Sequence, residues 1–484
     1  MALLYKDQRF NSFEEFEAAR VKYQEKNYVL WVIGNTTTVQ AANAEIVAKG
    51  GNNLFKPELR YRYAKFTCKF GGKVRIGTGK GKRPMQATHK IGCEARLELR
   101  ATRTHLVIHS ISEVHNYEVT EESYKALPEN RNLSAEAEEK VKLLFNGGVK
   151  PAVVRSVLRG LTGNWKNQEN NGMTEKERLV DTLANLLDND PDASVYNARD
   201  ESDDLKFLFL QTSAMRRNVQ MYGMVLLMDH SYKVNRNRMP VCVLMVMDGD
   251  GNGRSAGYAF VADEQQFTVS EVLTAFRESI TEDVASKLTT IIIDKDPSEI
   301  AAIENVFPEV HIQLCSFHVS KTLKEKSVKK SDRVKETLDN LKYVQSEEGY
   351  TSLCTELKKM ASPTFVKYFE ENWEKCPQAW SYRDKKHGLN FGNTTTNRVE
   401  NHNSKIKMIL NSNSPLADAV EGLLNVFLNK EEDVLHREIV SAMKRSYMTT
   451  ALDDPIINQI LTDLKQYPAN LLIWEFKQIP EEKE

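Results

Sequence analysis

The chain has 484 residues, with 66 Lys/Arg against 67 Asp/Glu, a net charge of −1, 41% hydrophobic residues and six cysteines. That balance excludes a polyanion binder working through bulk charge, and six cysteines are too few for a disulfide scaffold. The first residues lack a signal-peptide layout and no apolar run approaches ~18 residues, so a soluble intracellular protein of two to four domains in a reducing compartment, with no membrane partner, is expected.

Residues 11–26 have a helical pattern with Phe13, Phe16 and Tyr23 available for one face, and 28–33 read as a strand. From 59 to 119 short β-like runs alternate with basic residues. Between 56 and 103 there are 14 Lys/Arg against three acids, Glu58, Glu94 and Glu98, a local balance of 14 − 3 = +11. Such a patch suits phosphate contact. Its Gly/Lys loop at 71–84 carries Lys73, Arg75, Lys80, Lys82 and Arg83, and with Lys90 these are the candidate DNA-binding residues. The segment 80–84, KGKRP, is similar to a minor-groove AT-hook core, although a solvated charged loop has the same composition. Cys68, Cys93 and His115 are three of the four ligands that a tetrahedral zinc site needs. The alternative is two buried free cysteines and a surface histidine. Together 1–120 read as a small β-rich DNA-binding module.

Residues 134–145 and 151–161 form a helix-turn-helix-like pair around Asn146-Gly147-Gly148, with Pro151 placed for a helix start. Short helices around a glycine turn also occur without DNA. Residues 162–171 read as a linker. Thr174 and Glu177 form a capping box for a helix to about 187, and the acidic stretch 188–204 reads as a second linker, so 121–204 is a helical region with linkers.

The domain at 205–410 follows. Residues 223–263 read as a β-meander: 225–228 running into Asp229, then 240–247, then 256–262, with turn-rich residues at 235–238 and 248–253. A carboxylate at the centre of a strand flanked by core is costly unless something satisfies it. The turn Asp248-Gly249-Asp250-Gly251-Asn252-Gly253 copies the first half of an EF-hand loop, but position twelve is Ala259 and both flanks are strands, so a hairpin turn is expected. A helix at 269–286 leads to a fourth strand, 288–293, running into Asp294. A helix at 297–306 leads to a fifth strand, 310–314, running into Cys315-Ser316-Phe317-His318. A helical insertion occupies about 320–390, a helix at 394–410 carries Glu400, and 411–484 read as a C-terminal helical region.

This order fits an α/β, ribonuclease-H-like domain with a helical insertion, joined to a small β-rich zinc-finger-like domain and helical segments. In that arrangement the first and fourth strands are neighbours, so Asp229 meets Asp294, and a late helix brings Glu400. Any one acid among 67 is most simply a surface carboxylate; the joint placement carries the reading. Three converging carboxylates repel unless a cation neutralises them, and hard oxygen donors favour Mg²⁺ or Mn²⁺. Two such ions about 4 Å apart can activate an attacking oxygen and stabilise the leaving one in phosphodiester displacement.

Two resemblances attach to these residues. KIGCEARLELR followed by ISEVHNYEV resembles the zinc-finger module of far-red-impaired-response proteins and related transposases, within the WRKY/glial-cells-missing superfamily. Cys68, Cys93 and His115 match its ligands, while Tyr117 stands where that module has a fourth ligand, His; His109 or His105 are alternative donors. The blocks LLMDHSYKVNRNRMPV, MDGDGNGRSAGYAFVADE, TTIIIDKDPSEIAAIENVFPEVHIQLCSFHVSK and NTTTNRVENHNSKIK resemble the DDE transposase domain of Mutator-like elements. The resemblance implies that Asp229, Asp294 and Glu400 are the catalytic triad and hold Mg²⁺ or Mn²⁺. It makes Cys315 and His318 the Cys-x-x-His motif beside the active site, either packing there or forming half of a zinc site. The layout is shared with zinc-finger SWIM-domain proteins, but no Cys-x-Cys…Cys-x-His follows residue 440, as in a lineage without that finger or a truncated form. The resemblance implies a nuclear, oligomeric protein that binds double-stranded transposon ends and target DNA and performs strand cleavage and transfer. The alternative is a domesticated descendant that regulates transcription without catalysis.

Overall fold

The computed structural model describes residues 4–72, 87–88, 90–130, 135–146, 154, 173–327, 332–344, 346–381, 390–442, 445–446, 459–460, 469 and 472. Lys73, Arg75, Lys80, Lys82, Arg83, the AT-hook-like segment and nearly all of the second helix of the helix-turn-helix-like pair lie outside the described residues. The chain divides into two compact units, 1–140 with 430–464 and 472–484, and 141–429 with 465–471.

The first unit is built on an antiparallel sheet. Its strands are β1 (Arg9–Phe10), β2 (Trp31–Thr38), β3 (Tyr61–Cys68), β5 (Arg96–Ala101) and β6 (Leu106–Ser112), in the order β1-β6-β5-β3-β2. A short β4 (Ala87–Thr88) pairs separately with Arg445–Ser446. The helix Phe13–Asn27 starts where the Ser12 side chain accepts the Glu15 amide, and it buries Phe13, Phe16 and Tyr23, the three aromatics its periodicity had set on one face. These pack with Phe66, Leu97 and Leu99 into one core. A further helix, Val39–Ala48, had no counterpart in the sequence reading, because it buries only Val39 and Ala42 and shows little periodicity.

The second unit contains a seven-stranded sheet: β7 (Ser194–Arg199), β8 (Leu205–Gln211), β9 (Val225–Ser231), β10 (Val241–Met247), β11 (Gly253–Val261), β12 (Thr290–Ile293) and β13 (His311–Leu314). The order is β13-β12-β9-β10-β11-β8-β7, with β9-β12-β13 parallel and the remaining pairs antiparallel. This is the expected ribonuclease-H-like sheet, enlarged at one edge by β7 and β8. β7 lies within the acidic stretch read as linker; its apolar side chains are only partly buried at the sheet edge, so the alternation that marks a strand is faint there. The helix expected at 269–286 is two, Gln266–Glu278 and Glu282–Ala285, broken where the Ser279 hydroxyl donates to the Phe276 carbonyl at 2.6 Å.

Both sheet faces are covered, so the strands are apolar without interruption. Leu226 and Met228 of β9 face the core formed with the helices Gln266–Glu278 and Pro297–Val306 and the helical insertion. Val225 and Leu227 face the opposite core, with the helices Asn397–Ile409 and Leu416–Ala442. The period of two puts Asp229 on the second face and His230 on the first. By the same parity Ile292 of β12 joins the second core, and Asp294 follows it. Among the described residues no helix is long and apolar enough to cross a membrane.

Candidate active site and metal centre

β9 and β12 pair in parallel with Thr290 opposite Val225 and Ile292 opposite Leu227. That constant offset of 65 puts Asp294 level with Asp229 at the carboxyl ends of the two strands. β12 and β13 pair with Ile293 opposite Leu314, which puts Cys315 level with Asp294, and the Cys315 amide donates to the Ile293 carbonyl at 2.7 Å. Asp229, Asp294 and Cys315 therefore form one row across three strands. Asp296, two residues on, is committed elsewhere: as N-cap of Pro297–Val306 it accepts the Ser298 and Glu299 amides at 2.8 and 3.1 Å.

The third acid comes on the helix Asn397–Ile409. The Ser316 amide donates to the Thr394 carbonyl at 2.8 Å and the Thr396 amide donates to Cys315 Sγ at 3.4 Å, so the helix starts against the end of β13. Tyr258 on β11 holds the helix from its other side, its hydroxyl 2.6 Å from His402 Nε2. Arg398 Nε adds a bond to the Gly251 carbonyl at 2.7 Å.

Five side chains meet in this setting. Asn403 Nδ2 donates to Asp229 Oδ2 at 2.8 Å, and the His230 amide donates to Asp229 Oδ1 at 2.9 Å. His318 lies between the other two acids: Nδ1 is 2.7 Å from Asp294 Oδ1, and Nε2 is 3.4 Å from Glu400 Oε1. Burial, and then the charge of Asp294, push the Asp229 carboxyl up to about 6. On the other face of β9, His230 Nδ1 is 2.8 Å from Glu299 Oε1. Burial opposes its protonation, yet Cys242 and Glu299 hold its pKa well above the ordinary histidine value.

The structure thus gathers Asp229, Asp294 and Glu400 at one end of the sheet, with His318 as the bridge between the last two. The donor set fits a hard divalent cation, because the charge of Asp294 penalises the ionisation of Asp229, a repulsion that a cation would relieve. Sequence reasoning missed Asn403 and the His230–Glu299 pair. Asn403 had a usable signal, since it follows Glu400 by three residues and shares its helix face; Glu299 had none. The Asp248 turn carries no such cluster: Asp248 Oδ1 accepts the Asp250 and Asn252 amides at 3.0 and 2.8 Å, as a hairpin turn does.

In the first unit Cys68 ends β3, Cys93 precedes β5, and His115 follows β6. Their ligand atoms all lie within 4.8 Å of one another. Gly71 permits this approach, because a Cβ there would lie 2.9 Å from the Cys68 carbonyl oxygen and 3.1 Å from that of Cys93. Tyr117 takes the fourth corner, with its hydroxyl 3.3 Å from Cys68 Sγ and its ring against Phe70. His105 instead contacts Thr104 at 2.7 Å, and His109 is exposed on β6, so neither joins the cluster. Burial pushes the Cys68 thiol up to about 11 and pulls His115 down, leaving the neutral imidazole that a metal requires. Two thiols and an imidazole at this spacing fit zinc. Lys90 is exposed nearby in sequence, before Cys93.

Comparison with known proteins agrees with this division. Residues 184–313 match the family model described as "Zinc finger SWIM domain-containing protein 1/3, RNaseH-like domain". Residues 4–117 match "Zinc finger SWIM domain-containing protein 3, N-terminal". The chain is related to SWIM zinc-finger proteins. It is 23% identical over 264 residues to Protein FAR1-RELATED SEQUENCE 5 of Arabidopsis thaliana, covering 51% of this chain and 33% of that protein. It is also 23% identical over 338 residues to Uncharacterized protein ZSWIM9 of Homo sapiens, covering 66% of this chain and 51% of that protein. The chain thus spans between a third and a half of these relatives.

Proposed function

We propose that the protein is a DNA-binding protein of transposase descent whose ribonuclease-H-like domain cleaves and transfers DNA strands, as a Mutator-like DDE transposase would. The supporting observation is the common register of Asp229 and Asp294, with Glu400 delivered to the same strand ends. In this reading Asp229, Asp294 and Glu400 hold Mg²⁺ or Mn²⁺. When bound, such ions supply Lewis-acid activation of the attacking water and neutralise charge on the leaving oxygen. The chain itself does the positioning. Asn403 fixes one oxygen of Asp229, and His318 keeps Asp294 and Glu400 apart. The helix start at Thr396 is tied to Cys315, so Glu400 is set by β13 as well as by its own helix. The basic module with Cys68, Cys93 and His115, the last three holding zinc, would bind double-stranded transposon ends. Nuclear localisation and a homo-oligomer that pairs two ends complete the reading.

A second reading has one observation in its favour: the acids already have protein partners, Asn403 for Asp229 and His318 for Asp294 and Glu400. A domesticated descendant that binds DNA and regulates transcription without cutting it would have this arrangement. The deciding experiment incubates the protein with Mg²⁺ and a duplex carrying the terminal sequences that flank its gene, and compares it with Asp294→Ala. Nicks or strand transfer in the wild type alone support catalysis. Salt-sensitive binding with no cleavage supports the regulator.

A further inference from the structure

We propose that Asp294, Cys315 and His318 form a zinc site of their own at the carboxyl ends of β12 and β13. It shares Asp294 with the all-carboxylate set but adds a sulfur and a nitrogen donor that the set lacks, and it is far in sequence from Cys68, Cys93 and His115. The fold makes it from short-range pieces. The parallel register leaves Asp294 and Cys315 side by side, the helix Ser316–Lys326 starts at once, and its first turn brings His318 back over them. The carboxylate oxygen, the sulfur and an imidazole nitrogen all lie within 4.8 Å of one another.

A second observation points to a ligand. Asp294 Oδ1 and His318 Nδ1 face each other at 2.7 Å, both atoms are shielded from solvent, and they pair with each other only when the imidazole carries a proton on Nδ1. With the proton on Nε2, toward Glu400, the two atoms are acceptors held against each other away from water, and a cation coordinated by both removes that penalty. One sulfur, one nitrogen and one oxygen make a borderline-soft set that suits zinc far better than magnesium. The surroundings match what such ligands require. The Thr396 amide donates to Cys315 Sγ at 3.4 Å, which fixes the direction of the sulfur. The other imidazole nitrogen, Nε2, is 3.4 Å from Glu400 Oε1, the carboxylate–histidine–metal relation that fixes a ligating histidine's tautomer. Asp294 has two carboxylate oxygens, so one can serve this site and leave the other for the carboxylate set. The proposal does not depend on strand cleavage, because its readout is bound metal.

The test uses the full chain, freed of metal and titrated with zinc or with cobalt as a spectroscopic probe, in the absence of DNA. Wild type should bind one equivalent more than either Cys315→Ser or His318→Gln, and the cobalt–thiolate absorption should fall in Cys315→Ser. Cys68→Ser should keep this equivalent while losing that of the first unit. Glu400→Gln should weaken the site by about 10- to 100-fold without removing it. His318 is partly exposed, so His318→Gln should fold normally, as circular dichroism will check. Identical zinc stoichiometry and affinity in the wild type and a folded His318→Gln would overturn the proposal, whatever the cleavage assay gives.

Discussion

Two acids of the same meander, Asp229 within β9 and Asp248 at the β10–β11 turn, behave as opposites. Asp248 is 3% exposed, yet its needs are met within four residues by the amides of Asp250 and Asn252 and the Asn252 side chain, with Arg254 3.7 Å away. Asp229 is less buried, but its side-chain partner Asn403 is 174 residues away and Asp294 adds repulsion. A carboxylate satisfied by its own turn is a structural device. One that is held from a distance and crowded by a second carboxylate stores an unfavourable charge that a cation can relieve.

Four measurements can break or sharpen this contrast. The largest effect belongs to chemistry: Asp229→Ala should slow Mg²⁺-dependent cleavage by about 10³-fold or more, roughly 4 kcal/mol of barrier, while Asp248→Ala stays within about threefold. Equal losses in the two variants would erase the distinction. Next comes pH. Burial and the charge of Asp294 push the Asp229 carboxyl up to about 6 in the fold, above the ordinary 3.8, so its ionisation opposes folding. The favourable contribution is complete below about pH 4 and is lost as pH rises through about 6. Asp229→Asn should therefore be more stable than wild type at pH 7.5 without divalent ions, by up to about 3 kcal/mol, and should converge with it below pH 4 in urea titrations. A constant difference across that range would contradict the raised Asp229 carboxyl that burial, and then the charge of Asp294, produce.

Asp248→Ala should lose about 1–3 kcal/mol at neutral pH, because three partly buried donors lose this acceptor. The smallest effect is binding itself. Mg²⁺ at ten times its dissociation constant should stabilise the wild type by about 1.4 kcal/mol. Asp294→Asn should abolish that increment in a thermal melt and Asp248→Ala should retain it.

Much of the fold was readable from local chemistry. The helix at 297–306 was anticipated to the residue, because Pro297 and the Asp296 cap mark its start without ambiguity. The meander was readable because turn residues punctuate apolar runs. β7 was not, since an edge strand with partly buried apolar residues looks like the loop beside it. Of the candidate site, the three acids and the Cys-x-x-His pair were visible as strand-end and motif residues. The contacts that tune them were not, because the spacing of Glu299 from His230 carries no periodic signal.

The sequence by itself determined the order of the meander and of the elements after it, the parity that sends Asp229 to one face of the sheet and His230 to the other, and the short spacing of Cys315 and His318. Those follow from strand alternation and from residues close in the chain. Only the tertiary structure decided that β9 and β12 pair with an offset of 65, that His318 lies between Asp294 and Glu400, and that Asn403 holds Asp229. Register and helix docking depend on how two cores pack against a common sheet, which is a property of all the packed residues together and of no single stretch.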